Sequence, residues 1–96
     1  MEDSPKQYAE NLEDQMREWT NRIAELKTQA DQAPAEKKIG MLNQIAVLNE
    51  HKDRLLAMVE DLRQAPDEDW DRLRKAAEKE VADIDDNYRE ALSYFH

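Results

Sequence analysis

The side chains in this sequence that could carry out chemistry are two histidines and one acidic run. His51 stands close to Glu50 and Asp53. Metal ligands, or partners of a general base, should instead converge on one helix face at spacings of three or four residues. No acid stands at such a spacing from His51, and His96 is the last residue of the sequence. Both histidines are therefore interpreted as exposed side chains without a site.

The acidic run Asp83-Ile84-Asp85-Asp86-Asn87 is superficially similar to the start of a calcium-binding loop. Such a loop needs glycine at its sixth position and glutamate at its twelfth. This sequence has Tyr88 and Tyr94 there, and Ile84 falls on an apolar helical stripe. The run is therefore interpreted as helix.

The composition removes most other catalytic and metal-binding arrangements. There is no cysteine, so disulfides, zinc–thiolate sites and thiol nucleophiles are excluded. The one glycine, Gly40, cannot form a glycine-rich phosphate loop. We therefore expect a protein that is not an enzyme and has no cofactor and no metal site.

The charge balance bears on partners and location. Asp and Glu number 23 against 14 Lys and Arg, a net charge of −9 that repels phosphate backbones and anionic lipid surfaces. We expect no nucleic-acid partner. The segment Met1 to Lys6 contains charges and a proline, and no apolar run is long enough to span a membrane. We therefore expect no transmembrane segment and a cytoplasmic location.

Two prolines divide the sequence into three helical segments. Ser4 and Gln7 can cap a first helix, and Pro5 suits its first position. Pro34 and Pro66 interrupt helical geometry. The prediction is an all-α fold, one domain over residues 1–96, with helices at about 5–32, 35–64 and 67–94. The short connections indicate an antiparallel, coiled-coil-like three-helix bundle.

Apolar residues recur at steps of three or four in each segment and predict one shared core. The stripe of the second helix is wide because Leu42 and Leu56 join it, as expected for a helix with two neighbours. The predicted core residues are Tyr8, Leu12, Trp19, Ile23, Leu26, Ile45, Leu48, Leu55, Val59, Leu62, Trp70, Leu73, Ile84 and Tyr88.

Lys52 breaks the stripe of the second helix. Folding the chain at Pro66 brings Lys52 level with Glu80, and we hypothesise a buried ion pair between them. The alternative is that the lysine stem lies along the core with its ammonium group in water.

Some apolar residues lie outside the core stripes and could form a second seam for self-association. These are Ile39, Val47, Met58 and Tyr94.

The sequence also resembles a known family. The resemblance covers nearly the whole chain, and it rests on Tyr8, Trp19 with Ile23 and Leu26, the segment 30–33, Lys38-Ile39, Asp69-Trp70 with Leu73, and Ser93-Tyr94-Phe95. The family comprises small bacterial all-helical coiled-coil proteins related to a cyanobacterial stress-inducible protein. Ala76 and Val81 depart from it, where the family often has glycine and tryptophan. The resemblance implies a three-helix bundle and a stress-linked role, and it brings no catalytic residues.

Three functions remain open on these grounds. The first is a non-enzymatic interaction or structural module, stress-associated, whose partner is an unidentified protein or a second copy. The second is reversible lipid binding, in which the bundle opens and presents its apolar faces to a membrane surface. The third is an acidic mimic of nucleic acid that occupies the groove of a basic partner.

Overall fold

Three α-helices make up the computed structural model, which describes residues 5–95. They are α1 (Pro5–Asp31), α2 (Ala35–Gln64) and α3 (Asp67–Ser93). α2 packs antiparallel to both neighbours, so α1 and α3 run parallel in a bundle of 50 × 21 × 18 Å. The predicted all-α three-helix bundle is confirmed, with helix ends within one residue of those expected; Ser4 and His96 lie outside the described residues. No helix among residues 5–95 is long and apolar enough to cross a membrane.

The two prolines end one helix and start the next. Pro34 (φ −58°, ψ 150°) and Pro66 (φ −68°, ψ 157°) have extended backbone and stand immediately before α2 and α3. The Pro34 carbonyl accepts from the Lys38 amide at 2.9 Å, and the Pro66 carbonyl accepts from the Asp69 amide at 2.9 Å. Each proline thus supplies the first acceptor carbonyl of the helix that follows it. Only three residues separate α1 from α2, and two separate α2 from α3.

The core consists of two clusters of buried side chains along the bundle. The larger contains Trp19, Ile45, Leu48, Leu55 and Ile84, and draws on all three helices. The smaller surrounds Leu12, Val59, Leu62 and Ala77. Burial of each of these leucine side chains contributes about 1.5–3 kcal/mol.

Ten of the fourteen predicted core residues are buried, and the other four are partly buried. The buried ones are Leu12, Trp19, Ile23, Leu26, Ile45, Leu48, Leu55, Val59, Leu62 and Ile84. The partly buried ones, which pack against the two clusters, are Tyr8, Trp70, Leu73 and Tyr88.

The buried stripe of α2 is narrower than predicted. Leu42 is 37% exposed and Leu56 is 44% exposed. Each follows a buried residue, Met41 or Leu55, and one step along a helix turns the side chain by about 100°. The expectation that Leu42 and Leu56 join the core is therefore wrong.

Gly40 and Tyr94 bring the end of α3 close to α2. A Cβ atom on Gly40 would lie 3.3 Å from Cδ2 of Tyr94, so glycine lets the aromatic ring lie directly on the helix backbone. The ring remains 46% exposed.

Candidate functional site

A cluster of polar side chains lies in the seam between α2 and α3. It consists of His51 and Arg54 on α2 with Glu80 and Asn87 on α3, and we call it the polar seam cluster. Glu80 and Asn87 are seven residues apart, or about two helical turns, so they share one face of α3. His51 is as many residues from the end of α2 as Glu80 is from the start of α3. The short connection at Pro66 therefore sets them level.

The imidazole of His51 is bonded on both ring nitrogens. Nδ1 lies 2.5 Å from Oε1 of Glu80, and Nε2 lies 2.9 Å from Nδ2 of Asn87. The side chains of His51 and Glu80 are only 13% and 11% exposed. Nη1 of Arg54 approaches the same Glu80 oxygen at 3.8 Å, although its side chain is 57% exposed. The buried carboxylate thus has two partners on α2.

The predicted ion pair between Lys52 and Glu80 does not form, since the partners of Glu80 are His51 and Arg54. The predicted position of Glu80 along α2 is nearly right, because His51 and Lys52 are adjacent. The predicted face of α2 is wrong, because His51 and not Lys52 points toward Glu80. The half-buried side chain of Lys52 agrees with the alternative, in which the lysine stem lies along the core with its ammonium group in water.

The polar seam cluster is arranged to hold two helices together. With both imidazole nitrogens engaged, neither has a lone pair or proton available to a substrate in this geometry. Among residues 5–95, no group of three His, Cys, Asp or Glu side chains could hold a metal ion. A buried hydrogen-bonded network of this kind fixes the alignment of neighbouring helices.

Aromatic pairs join α1 to α3. The rings of Tyr8 and Trp70 lie 5.3 Å apart, and those of Trp19 and Tyr88 lie 5.1 Å apart nearly edge to face. The guanidinium of Arg22 lies 4.8 Å from the Trp19 ring centre. These contacts place the predicted aromatic core residues at the boundary between the two parallel helices.

Two charge effects accompany the Tyr8 end of this seam. Burial raises the pKa of Tyr8, the Glu78 carboxylate raises it further, and Arg74 opposes them. The hydrogen bond from Arg74 holds the pKa of Asp71 below its usual value, with Lys75 adding to the effect. Acids and bases are thus paired along the exposed side of α3.

An open groove of about 470 Å³ lies between α1 and α2. It is lined by Glu13, Met16, Arg17, Thr20, Asn21 and Leu56. Arg63 of α2 forms an ion pair with Glu13 of α1 beside it. Leu56 therefore presents an apolar side chain next to charged and polar ones.

Only two of the four residues predicted to form a second seam are exposed. Ile39 is 68% exposed and Tyr94 is 46% exposed, but Met58 packs against both core clusters and Val47 is half-buried. Leu42 and Leu56 are exposed instead.

Sequence reasoning missed the partners of His51. It searched for acids three or four residues away on the same helix, whereas Glu80 and Asn87 belong to the next helix. The signal that could have found them is the equal distance of His51 and Glu80 from the turn at Pro66, with Asn87 on the same face of α3.

Comparisons of the chain with protein-family models, with curated proteins and with solved structures found no match.

Proposed function

We propose that this chain is a non-enzymatic helical interaction module that acts by self-association, with a stress-associated role in the cytoplasm. The observation that carries the proposal is a stripe of residues on the outer side of α2, five of them exposed. The outer stripe comprises Ile39, Leu42, Ala46, Asn49, Asp53 and Leu56, of which Asn49 is half-buried.

The spacing of the outer stripe supports helix-to-helix contact. Its members follow one another at alternating steps of three and four residues, the spacing of a coiled-coil seam. Ile39, Leu42 and Leu56 are 68%, 37% and 44% exposed. A second copy of α2 would remove apolar surface from water at both ends of the stripe, and that burial favours association.

The side chains in the middle of the outer stripe are small or polar. Ala46 lets a partner helix approach closely, and Asn49 can set its register, at a cost in affinity. An unpaired Asp53 weakens the contact further. We therefore propose a weak, reversible association that depends on protein concentration.

The acidic-mimic alternative is not favoured by the surface of α3. Its acids are interleaved with bases that pair with them, such as Asp71 with Arg74 at 2.7 Å and Asp85 with Arg89 at 2.9 Å. Such pairing reduces the continuous negative field that a basic groove would recognise.

Sedimentation velocity over a range of protein concentrations tests self-association. We expect the wild type to shift from monomer toward dimer as concentration rises. The double variant Leu42→Glu/Leu56→Glu should stay monomeric, because it places charges on the outer stripe. The matched control Ala76→Glu/Ala82→Glu adds the same charges at exposed positions of α3 and should behave as the wild type.

A wild type that stays monomeric at every concentration contradicts self-association. So does an equal loss of association in both double variants, since that reflects net charge alone. Crosslinking in stressed and unstressed cells then tests the role: a homodimer crosslink that increases under stress is expected, and equal crosslinking in both contradicts the stress association. Flotation with neutral and anionic vesicles tests the lipid alternative, which requires binding to one of them.

A further inference from the structure

The orientation of the Asn87 amide determines the protonation of His51. Nδ2 of Asn87 lies 2.9 Å from the backbone oxygen of Asp83 and 2.9 Å from Nε2 of His51. A backbone oxygen can only accept, so the amide group facing it is the NH₂ donor. The same NH₂ group donates to Nε2, which must carry a lone pair.

His51 is therefore neutral in this arrangement, with its proton on Nδ1. That proton is donated to Oε1 of Glu80 at 2.5 Å. Every polar atom of the imidazole has a complementary partner, and no buried side-chain nitrogen or oxygen among the described residues lacks one.

Protonation of His51 changes one of these two contacts. Nδ1–H keeps Glu80 as its acceptor. Nε2 gains a proton that faces the NH₂ group of Asn87, so two donors oppose each other. A half-turn of the Asn87 amide about its Cβ–Cγ bond would present Oδ1, which accepts from Nε2–H.

We propose that Asn87 is a proton-coupled hydrogen-bond switch, which reverses its amide when His51 is protonated while the α2–α3 seam stays closed. The reversal gives up the bond from Nδ2 to Asp83 O, and Oδ1 must turn away from that backbone oxygen as it accepts from Nε2–H. The proposal does not depend on self-association.

The charged groups that contact His51 or its partner Glu80 lie on α2 and α3. Glu80 binds the imidazole directly, and Arg54 lies 3.8 Å from the same carboxylate. On α1, Arg22 lies 5.7 Å from the ring centre of Tyr88, the neighbour of Asn87. The remaining charged residues close to His51 in sequence, or at the Asn87 contact, are Glu50, Lys52, Asp53 and Asp83.

Nuclear magnetic resonance on the ¹⁵N-labelled full chain tests the switch across the range in which imidazoles titrate, from about pH 8 to about pH 5. At high pH we expect a scalar coupling through the hydrogen bond between Nδ2 of Asn87 and Nε2 of His51. At low pH that coupling should vanish, and a slowly exchanging Nε2–H proton should appear. The exposed Asn43 amide is an internal control and should not move with pH.

Three results would overturn the proposal. One is a proton on Nε2 at high pH. Another is an Nε2–H that exchanges rapidly with water at low pH, since Asn87 has then left instead of turning. The third is a His51 ring that stays neutral throughout the range.

The variant His51→Gln separates the switch from general effects of pH. It cannot take up a proton, so the Asn87 amide resonances should become independent of pH over this range. If they shift in this variant as they do in the wild type, His51 does not drive the change and the proposal is wrong.

Discussion

Gly40 shows how one residue sets the contact between two helices. In a helix interior, glycine is less favourable than alanine by about 1 kcal/mol. At this position it allows the ring of Tyr94 to pack on α2, where a Cβ atom would lie 3.3 Å from Cδ2 of the ring. Glycine at this position therefore has two opposing effects on stability: it disfavours the helix, and it allows the contact with Tyr94.

We expect Gly40→Ala to stabilise the protein by about 0.5 kcal/mol, less than the full helix-propensity gain. The Tyr94 ring is 46% exposed and follows the last residue of α3, so it can shift by the few tenths of an ångström required. Urea unfolding measures the effect. In a Tyr94→Ala background the same substitution should gain about 1 kcal/mol. Destabilisation in both backgrounds would contradict this account.

The polar seam cluster shows where prediction from sequence ends at the scale of a residue. The turn at Pro66 sets which residues of α2 and α3 lie level, and that much is readable from the sequence. Choosing between His51 and Lys52 as the partner of Glu80 requires the rotation of α2 about its axis, and neighbouring residues differ there by about 100°. The apolar stripe of the sequence does not define that rotation, because it includes Leu42 and Leu56, which are exposed in the structure.

At the scale of an element, α2 has two faces with different roles. Its inner face carries the buried residues Ile45, Leu48 and Leu55 and contacts both neighbouring helices. Its outer stripe carries exposed apolar residues at coiled-coil spacing. The boundary between the two faces falls between Leu55 and Leu56, which are adjacent in sequence.

This boundary predicts different costs for two neighbouring substitutions. Leu55→Ala should destabilise by about 2–5 kcal/mol, because its side chain is fully buried and a cavity remains. Leu56→Ala should change stability by less than about 1 kcal/mol. Urea unfolding of dilute protein, followed by far-ultraviolet circular dichroism, compares them. Equal losses would mean that the two faces of α2 are wrongly assigned.

The bounds of the three helices could be predicted because each break contains a proline and each segment has a sustained helical period. The prolines precede α2 and α3 as extended residues, so each marks the start of the helix that follows it. The exposed apolar residues of α2 could not be placed from the sequence. A helix whose wide apolar stripe packs on two neighbouring helices has nearly the same sequence pattern as a helix with a narrow buried stripe and additional apolar residues on its outer side.

At the scale of the whole molecule, the seam between α1 and α3 depends on aromatic side chains. The rings of Tyr8 and Trp70 are in contact across it at one position along the bundle, and those of Trp19 and Tyr88 are in contact at another. Large rings can bridge helices whose backbones are not in close contact. The stability of this seam should therefore respond to the ionisation of Tyr8.

The raised pKa of Tyr8 predicts a loss of stability at alkaline pH. Since the ordinary value is 10.0 and burial raises it in the folded state, the unfolded chain ionises first. The contribution of Tyr8 is complete below pH 10.0 and is lost as pH rises through the folded pKa. The free energy of unfolding is measured below and above pH 10.0. Between these two conditions it should decrease less for Tyr8→Phe than for the wild type.

Glu78→Gln provides a graded control for this prediction. It removes the second cause of the raised pKa of Tyr8 but leaves burial in place, so an intermediate fall is expected. An identical alkaline loss in the wild type and in Tyr8→Phe would show that Tyr8 does not contribute.

The parallel run of α1 and α3 has a geometric consequence. A bundle with an odd number of helices brings the chain in at one pole and out at the other, so Pro5 and Ser93 stand at opposite ends of the rod. Helices of 27 residues separate those ends by about 40 Å. Joined at both ends to other bodies, the bundle would act as a stiff spacer that keeps them from touching.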